Sequence, residues 1–246
     1  MLQGGPIVAA PAIAWEADEL TVGSPFDYKN STLLYLPTDI PEPNQPNYQK
    51  MVDEALVELC RAAQGRTLVL FTSYYQLRNS ARNISRVLGN DGITVLEQGS
   101  GTSRAQLLES FRTNEKSVLM GTRSFWEGID VVGPALSVLV LARLPFSVPD
   151  DPIFAARSET FDDPFGEFAV PETILRFRQG FGRLIRTKTD RGVVVILDKR
   201  VLTKSYGPMF LNSLPECTRV RASLDRLGEA TRRWLANDWP RSPSEP

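Results

Sequence analysis

Two hydrophobic patterns alternate along the chain. Short, nearly continuous apolar runs occur at Ser31–Leu36, Thr67–Phe71, Ile93–Leu96, Ser117–Met120, Leu136–Ala142 and Gly192–Leu197. Continuous rather than alternating runs suit strands buried on both faces of a parallel sheet. Between them lie longer stretches with apolar residues at helical spacing. Met51, Ala55, Leu59 and Ala62 mark one face of a helix over Tyr48–Ala63, and Gly65 is placed to end it. Further helices are predicted over Tyr75–Leu88, closed by Gly89, and over Ser103–Phe111. Others are predicted near Ile153–Thr160 and Pro171–Phe177, from about Val201 to Leu211, and over Ser223–Asn237. Strands separated by helices make βαβ units, so the predicted fold is an α/β domain with a predominantly parallel sheet and helices on both faces. Ligands of such sheets sit beyond the C-terminal strand ends. That rule singles out Thr72–Tyr74, Gly121–Arg123 and Arg143–Phe146.

Glycines and prolines punctuate this series. Residues 1–25 carry Gly4, Gly5, Pro6, Pro11, Gly23 and Pro25 and read as a boundary segment. Pro37–Pro46 holds four prolines and reads as an extended loop. Residues 26–215 form the α/β domain, and residues 216–246 a C-terminal helix with a Pro-rich tail. There is no internal repeat and no low-complexity segment.

Composition removes several function classes. At 246 residues, 42% hydrophobic and 23% charged, the chain suits one globular α/β domain. No apolar run approaches the roughly 18 residues needed to span a membrane. The start has no basic region ahead of an apolar stretch, so no signal peptide and no membrane partner is expected, and a cytoplasmic setting follows. Histidine is absent, which excludes Ser-His-Asp and Cys-His enzymes and removes the commonest zinc ligand. Two cysteines, Cys60 and Cys217, cannot hold an iron–sulfur cluster, which takes four thiolates, and no metal site is expected. A net charge of -1 gives no global argument for nucleic acid. The distribution is more informative, because Arg176–Lys204 carries nine Lys/Arg against two Asp.

Three segments carry candidate chemistry. In Gln179-Gly180-Phe181-Gly182-Arg183-Leu184-Ile185-Arg186, the arginines at i and i+3 are expected on one face of a helix. Gly180 and Gly182 would let a ligand or another backbone approach, and planar guanidinium groups suit phosphate oxygens. A helix with surface arginines would show the same pair. The second segment, Gly121–Asp130, directly follows a predicted strand. Its Gly121-Thr122 pair can offer a hydroxyl and backbone N–H groups to a phosphate. Glu127 and Asp130 suit a ribose hydroxyl or an arginine, although Asp130 would also cap a turn. The third is Phe71-Thr72-Ser73, whose small hydroxyls suit a nucleic-acid backbone and equally a helix cap.

With these residues in view the chain resembles the superfamily 2 helicases. Gln179–Arg186 resembles their motif VI, and Gly121–Asp130 their motif V. Ser-Phe-Trp-Glu-Gly-Ile-Asp, at residues 124–130, is similar to the DinG branch of the DinG/XPD group. Gly23–Tyr28, Leu144-Pro145-Phe146, Asp151–Arg157 and Asp198-Lys199-Arg200 resemble the same branch, in the family's order, from about Gly23 to Pro215. The resemblance implies a RecA-like fold and a motor that moves on single-stranded DNA, with ATP and Mg in the cleft between two such domains. Arg183 and Arg186 would then reach the ATP phosphates across the cleft, with Gln179 and Gly182 coupling nucleotide state to closure. Glu127, Gly128 and Asp130 would line the nucleotide side, and Thr72, Ser73 and Thr122 would touch the DNA backbone.

The departures define what the chain supplies. It has no Gly-x-x-x-x-Gly-Lys-Ser/Thr loop, no Asp-Glu-Ala-His box and no iron–sulfur cysteines. In the family these belong to the first domain. The expectation is therefore a second motor domain that works with an ATP-binding first domain, in cis or in trans. An iron–sulfur cluster is possible in the parent protein but not here. A non-catalytic nucleic-acid-binding module derived from this domain is the alternative, and the paired arginines favour the motor. An unrelated α/β enzyme would need a general base and a phosphate-binding loop that are not found.

Overall fold

Seven parallel strands make one sheet in the computed structural model, which describes residues 24–126, 136–147, 152–187 and 189–240. The strands are β1 Thr32–Pro37, β2 Thr67–Leu70, β3 Thr94–Glu97, β4 Ser117–Gly121, β5 Val138–Leu141, β6 Gly192–Ile196 and β7 Thr218–Ala222. Their order is β3-β4-β2-β5-β6-β1-β7. The α-helices are α1 Tyr28–Ser31, α2 Tyr48–Ala62, α3 Tyr74–Asn90, α4 Arg104–Thr113, α5 Arg123–Trp126, α6 Pro152–Ser158, α7 Val170–Phe181, α8 Arg200–Thr203, α9 Gly207–Asn212 and α10 Leu227–Leu235. A π-helical turn, Pro164–Ala169, leads into α7.

The continuous apolar runs follow from burial on both faces. Leu33, Tyr35, Val69, Val118, Val138, Val140, Val193 and Val195 pack under α2, α3 and α10. Their neighbours Leu34, Leu36, Leu68, Leu70, Leu119, Leu139, Leu141, Val194 and Ile196 pack on the opposite face with Phe111, Phe177, Phe181 and Phe210. One side of the sheet is thus mainly β-branched and the other leucine-rich and aromatic, and no strand position in the middle is free to be polar.

The structure departs from the expected pattern in four places. Helix α3 runs through Gly89 to Asn90, and the reversal falls at Gly92, which has a positive φ of 72°. The helix expected over Val201–Leu211 is two helices. It breaks before Gly207, where an added Cβ would stand 2.2 Å from the Val201 carbonyl oxygen, so only glycine lets α9 fold back on α8. The third departure is β7, which sequence patterning did not predict. Its Thr-Arg-Val-Arg-Ala alternation is that of an edge strand, paired to β1 on one side only. Fourth, residues 216–240 are integral to the sheet and core, since Leu227, Ala230 and Trp234 of α10 are buried against the β1 and β6 side.

Candidate functional site

All strands being parallel, their C-terminal ends emerge on one edge. There Thr72 and Ser73 follow β2 and are half-buried. Ser73 occupies the N-cap of α3 in extended conformation, yet its side chain makes no capping hydrogen bond. The first N–H groups of α3 are thus left without a partner from the N-cap side chain. Thr122 follows β4. It is buried, and both its N–H and its hydroxyl donate to Gln98 Oε1, at 2.7 Å and 3.0 Å. The Gln98 amide in turn donates to the hydroxyls of Tyr74 and Ser124, each at 2.8 Å. Thr122 is consequently a braced residue whose donors are engaged within the domain. Gln98, which sequence reasoning missed, ties the ends of β3 and β4 to the head of α3. Its signal in the sequence is only a polar residue after a strand, which many loops share. Gly121 has a packing reason: an added Cβ would lie 2.5 Å from the Phe125 ring. Glu127, Gly128 and Asp130 fall outside the described residues.

A second polar network lies between β5 and β6 on the same edge. Asp198 is fully buried. It accepts the Leu144 N–H at 2.9 Å and the Arg200 guanidinium at 2.9 Å and 2.6 Å. Burial alone would lower the Arg200 pKa, but the hydrogen bonds and charge of Asp198 outweigh it and raise it. Tyr48 donates to the carbonyls of Ala142 and Leu197, with the Arg143 guanidinium 5.0 Å over its ring. Burial pushes the Tyr48 hydroxyl far above its usual pKa, Asp198 adds to this and Arg143 opposes it. The Arg143–Phe146 segment is therefore fixed from below by Asp198 and Tyr48.

The arginine segment is differently placed. Helix α7 ends at Phe181 and Gly182 is its C-cap, so Arg183 and Arg186 are not on one face of a helix as their spacing suggests. They occupy the turn that leads into β6. The Arg183 N–H donates to the Gly180 carbonyl at 3.1 Å, while Leu184 and Ile185 are buried as anchors. Arg186 is held through its backbone, since its N–H and that of Thr187 both donate to Asp190 Oδ2 at 2.8 Å. The Thr187 hydroxyl donates to the other oxygen of Asp190 at 2.7 Å. Both arginines are half-buried and Gln179 is exposed. Gly182 has an ordinary φ of -66°, and a Cβ there would meet the carbonyl oxygens of Arg178 and Gln179 at 3.4 Å and 3.9 Å, ordinary van der Waals contacts, so the fold itself does not demand glycine.

This turn lies by the N-terminal strand edge. The ring of Tyr28, which precedes β1, packs 5.8 Å from Phe181. Burial raises the Tyr28 pKa, and a bond to Ser24 and the charge of Arg186 partly offset it. Gln179, Gly182, Arg183 and Arg186 thus form one group, and Thr72, Ser73 and Thr122 another at the opposite edge. Nor is the basic run of Arg176–Lys204 a single face. Arg176 pairs with Glu172, Arg200 with Asp198, and Lys204 with Glu42, while Arg191 lies 4.0 Å over the Trp234 ring.

A doubly covered parallel sheet of this order is a RecA-like α/β domain. The chain belongs to the helicase C-terminal domain family, which matches residues 56–217. Within it, the curated relatives that match are helicases of the DinG and YoaA type. The ATP-dependent DNA helicase YoaA of Haemophilus influenzae is 43% identical over 202 residues, covering 80% of this chain and 31% of that protein. The YoaA of Escherichia coli is 40% identical over 210 residues, covering 84% and 32%. This chain therefore spans about a third of those relatives. Among solved structures, the XPD helicase superposes with a TM-score of 0.61 at 21% identity, over 78% of this chain and 35% of that one. At that identity the likeness concerns the fold.

Proposed function

We propose that this chain is the nucleotide-sensing second motor domain of an ATP-dependent DNA helicase. The observation that carries the reading is the arginine turn: Arg183 and Arg186 stand on a loop clamped by Asp190, beside a Gly182 whose smallness the domain's own packing does not require. A glycine without an internal reason suits an approach from outside, such as a phosphate or a facing domain. Phosphoryl transfer depends chiefly on positioning and on stabilising charge over the phosphate oxygens. Guanidinium groups on a fixed turn meet that need with little reorganisation. ATP and Mg would be held by a first motor domain, in cis or in trans; dependence on ATP is in keeping with the names of the YoaA relatives, ATP-dependent DNA helicases. Gln179, exposed one turn before the arginines, would couple nucleotide state to domain closure, with Glu127, Gly128 and Asp130 on the nucleotide side.

At the opposite edge, Thr72 and Ser73 would bind the single-stranded DNA backbone with the open end of α3. Thr122 would act there through the Gln98 brace, shaping the surface. Separating the two groups on opposite strand edges lets one rigid domain transmit closure at the nucleotide to displacement along the strand. In the complete two-domain helicase, Arg183→Ala is expected to lower ATP turnover by on the order of 10³-fold, as loss of an arginine finger does. A loss of only a fewfold, in a steady-state assay with saturating single-stranded DNA, would assign Arg183 a structural role instead.

A further inference from the structure

Helix α3 carries Arg78, Arg82 and Arg86 at successive i, i+4 positions and contains neither Asp nor Glu. All three are exposed, and among the described residues none makes an ion pair. Arg61 and Arg176, by contrast, are neutralised, by Asp91 at 2.8 Å and by Glu172 at 2.6 Å. Beside this row runs a groove of about 660 Å³ along the outer edge of β3, with Arg78, Arg82 and Ser85 on the α3 side and Ser110 on the α4 side. Glu97 is the one carboxylate lining it. Strand β3 pairs only with β4, so alternate backbone groups, those of Val95 and Glu97, turn towards the groove. The head of the same helix bears Thr72 and Ser73, together with Tyr74 and Tyr75, which are 48% and 78% exposed.

We propose that the α3–β3 groove is a second tract for single-stranded nucleic acid, continuous with the strand-end contacts and running down the side of the domain. The proposal rests on the DNA-binding reading of Thr72 and Ser73. Arginines one helical turn apart rise by about 6 Å each, a step comparable to the spacing of successive phosphates on an extended strand. Hydroxyls on both walls can donate to phosphate oxygens. The exposed tyrosines at the entrance offer ring faces on which a base can stack where the strand turns from the edge into the groove. An acidic peptide adding to the β3 edge would use the backbone groups but has no need of tyrosines at the entrance, so single-stranded nucleic acid fits more of the features.

The test is fluorescence anisotropy on the 246-residue chain with labelled oligothymidylates, a short one that spans the strand-end loops and one twice as long. Wild type is expected to bind the longer probe more tightly. Arg78→Gln/Arg82→Gln/Arg86→Gln should weaken the longer probe by ten- to a hundredfold and lower the slope of log affinity on log salt by about 2, while the short probe is little changed. Glu97→Gln, which removes the groove's carboxylate, should tighten the longer probe a fewfold, and as a gain it is not confused with misfolding. Equal loss on both probes, no loss, or a longer probe that binds no better would overturn the tract and leave the strand-end reading standing. If Thr72→Ala/Ser73→Ala changes neither probe, the strand-end reading falls, and the proposal with it. Binding of polyglutamate with displaced Val95 and Glu97 amide resonances, and no such displacement by oligothymidylate, would overturn it in favour of a peptide.

Discussion

Asp190 controls the geometry of the arginine turn. One carboxylate accepts the N–H groups of Arg186 and Thr187 and the Thr187 hydroxyl. Removing it frees the backbone that aims Arg186 without touching the guanidinium. Asp190→Ala is expected to lower ATP turnover of the complete helicase by about tenfold while costing about 1.5–3 kcal/mol of stability, the range for hydrogen bonds to a charged group. Asp190→Asn keeps one acceptor oxygen and should recover part of the turnover, and equal effects of the two variants would contradict a positioning role. At this scale the sequence is a partial guide. The residue types of Gln179–Arg186 suit phosphate chemistry, but nothing in their spacing shows that the helix ends at Phe181 or that an acid four residues past Arg186 fixes the loop. Gln98 is the harder case: its role depends on β3 and β4 being neighbours, a fact of topology that no local pattern encodes.

Among the elements, β1, β2, β4, β5 and β6 could be read from apolar runs because each is covered on both faces, while the edge strand β3 was legible from the Ile93–Leu96 run although it is only half-buried. β7 could not, since an edge strand buries one side and alternates like many loops. The helix α10 that follows was legible, but its importance was not. It sets Trp234, 2% exposed, into the core beside Arg191. Trp234→Ala is expected to destabilise the domain by roughly 3–5 kcal/mol, measured by urea unfolding, a large share of the roughly 5–15 kcal/mol typical of a whole domain. A change below 1 kcal/mol would mean that α10 is an appendage. The break between α8 and α9 illustrates a different limit. The apolar spacing over Val201–Leu211 is helical throughout, and only the contact of Gly207 with the Val201 carbonyl, absent from any local pattern, divides it.

For the whole molecule, a divided site predicts a divided activity. The 246-residue chain carries candidate phosphate-sensing arginines but no phosphate-binding loop, so its own ATP hydrolysis is expected to be indistinguishable from background with or without single-stranded DNA. DNA-stimulated turnover by a clean preparation would remove the need for a first domain. The strand order has a further consequence, in time. Strand β1 is made well before its neighbours β6 and β7, since its first residue Thr32 pairs with Gly192, 160 residues later. At about 5–20 residues per second, synthesis leaves β1 without either neighbour for roughly 8–32 s. During that interval the Leu33–Leu36 run is an unsatisfied, aggregation-prone ribbon. Such a chain is expected to need shelter for β1, at the ribosome surface or on a chaperone, until β6 and β7 arrive.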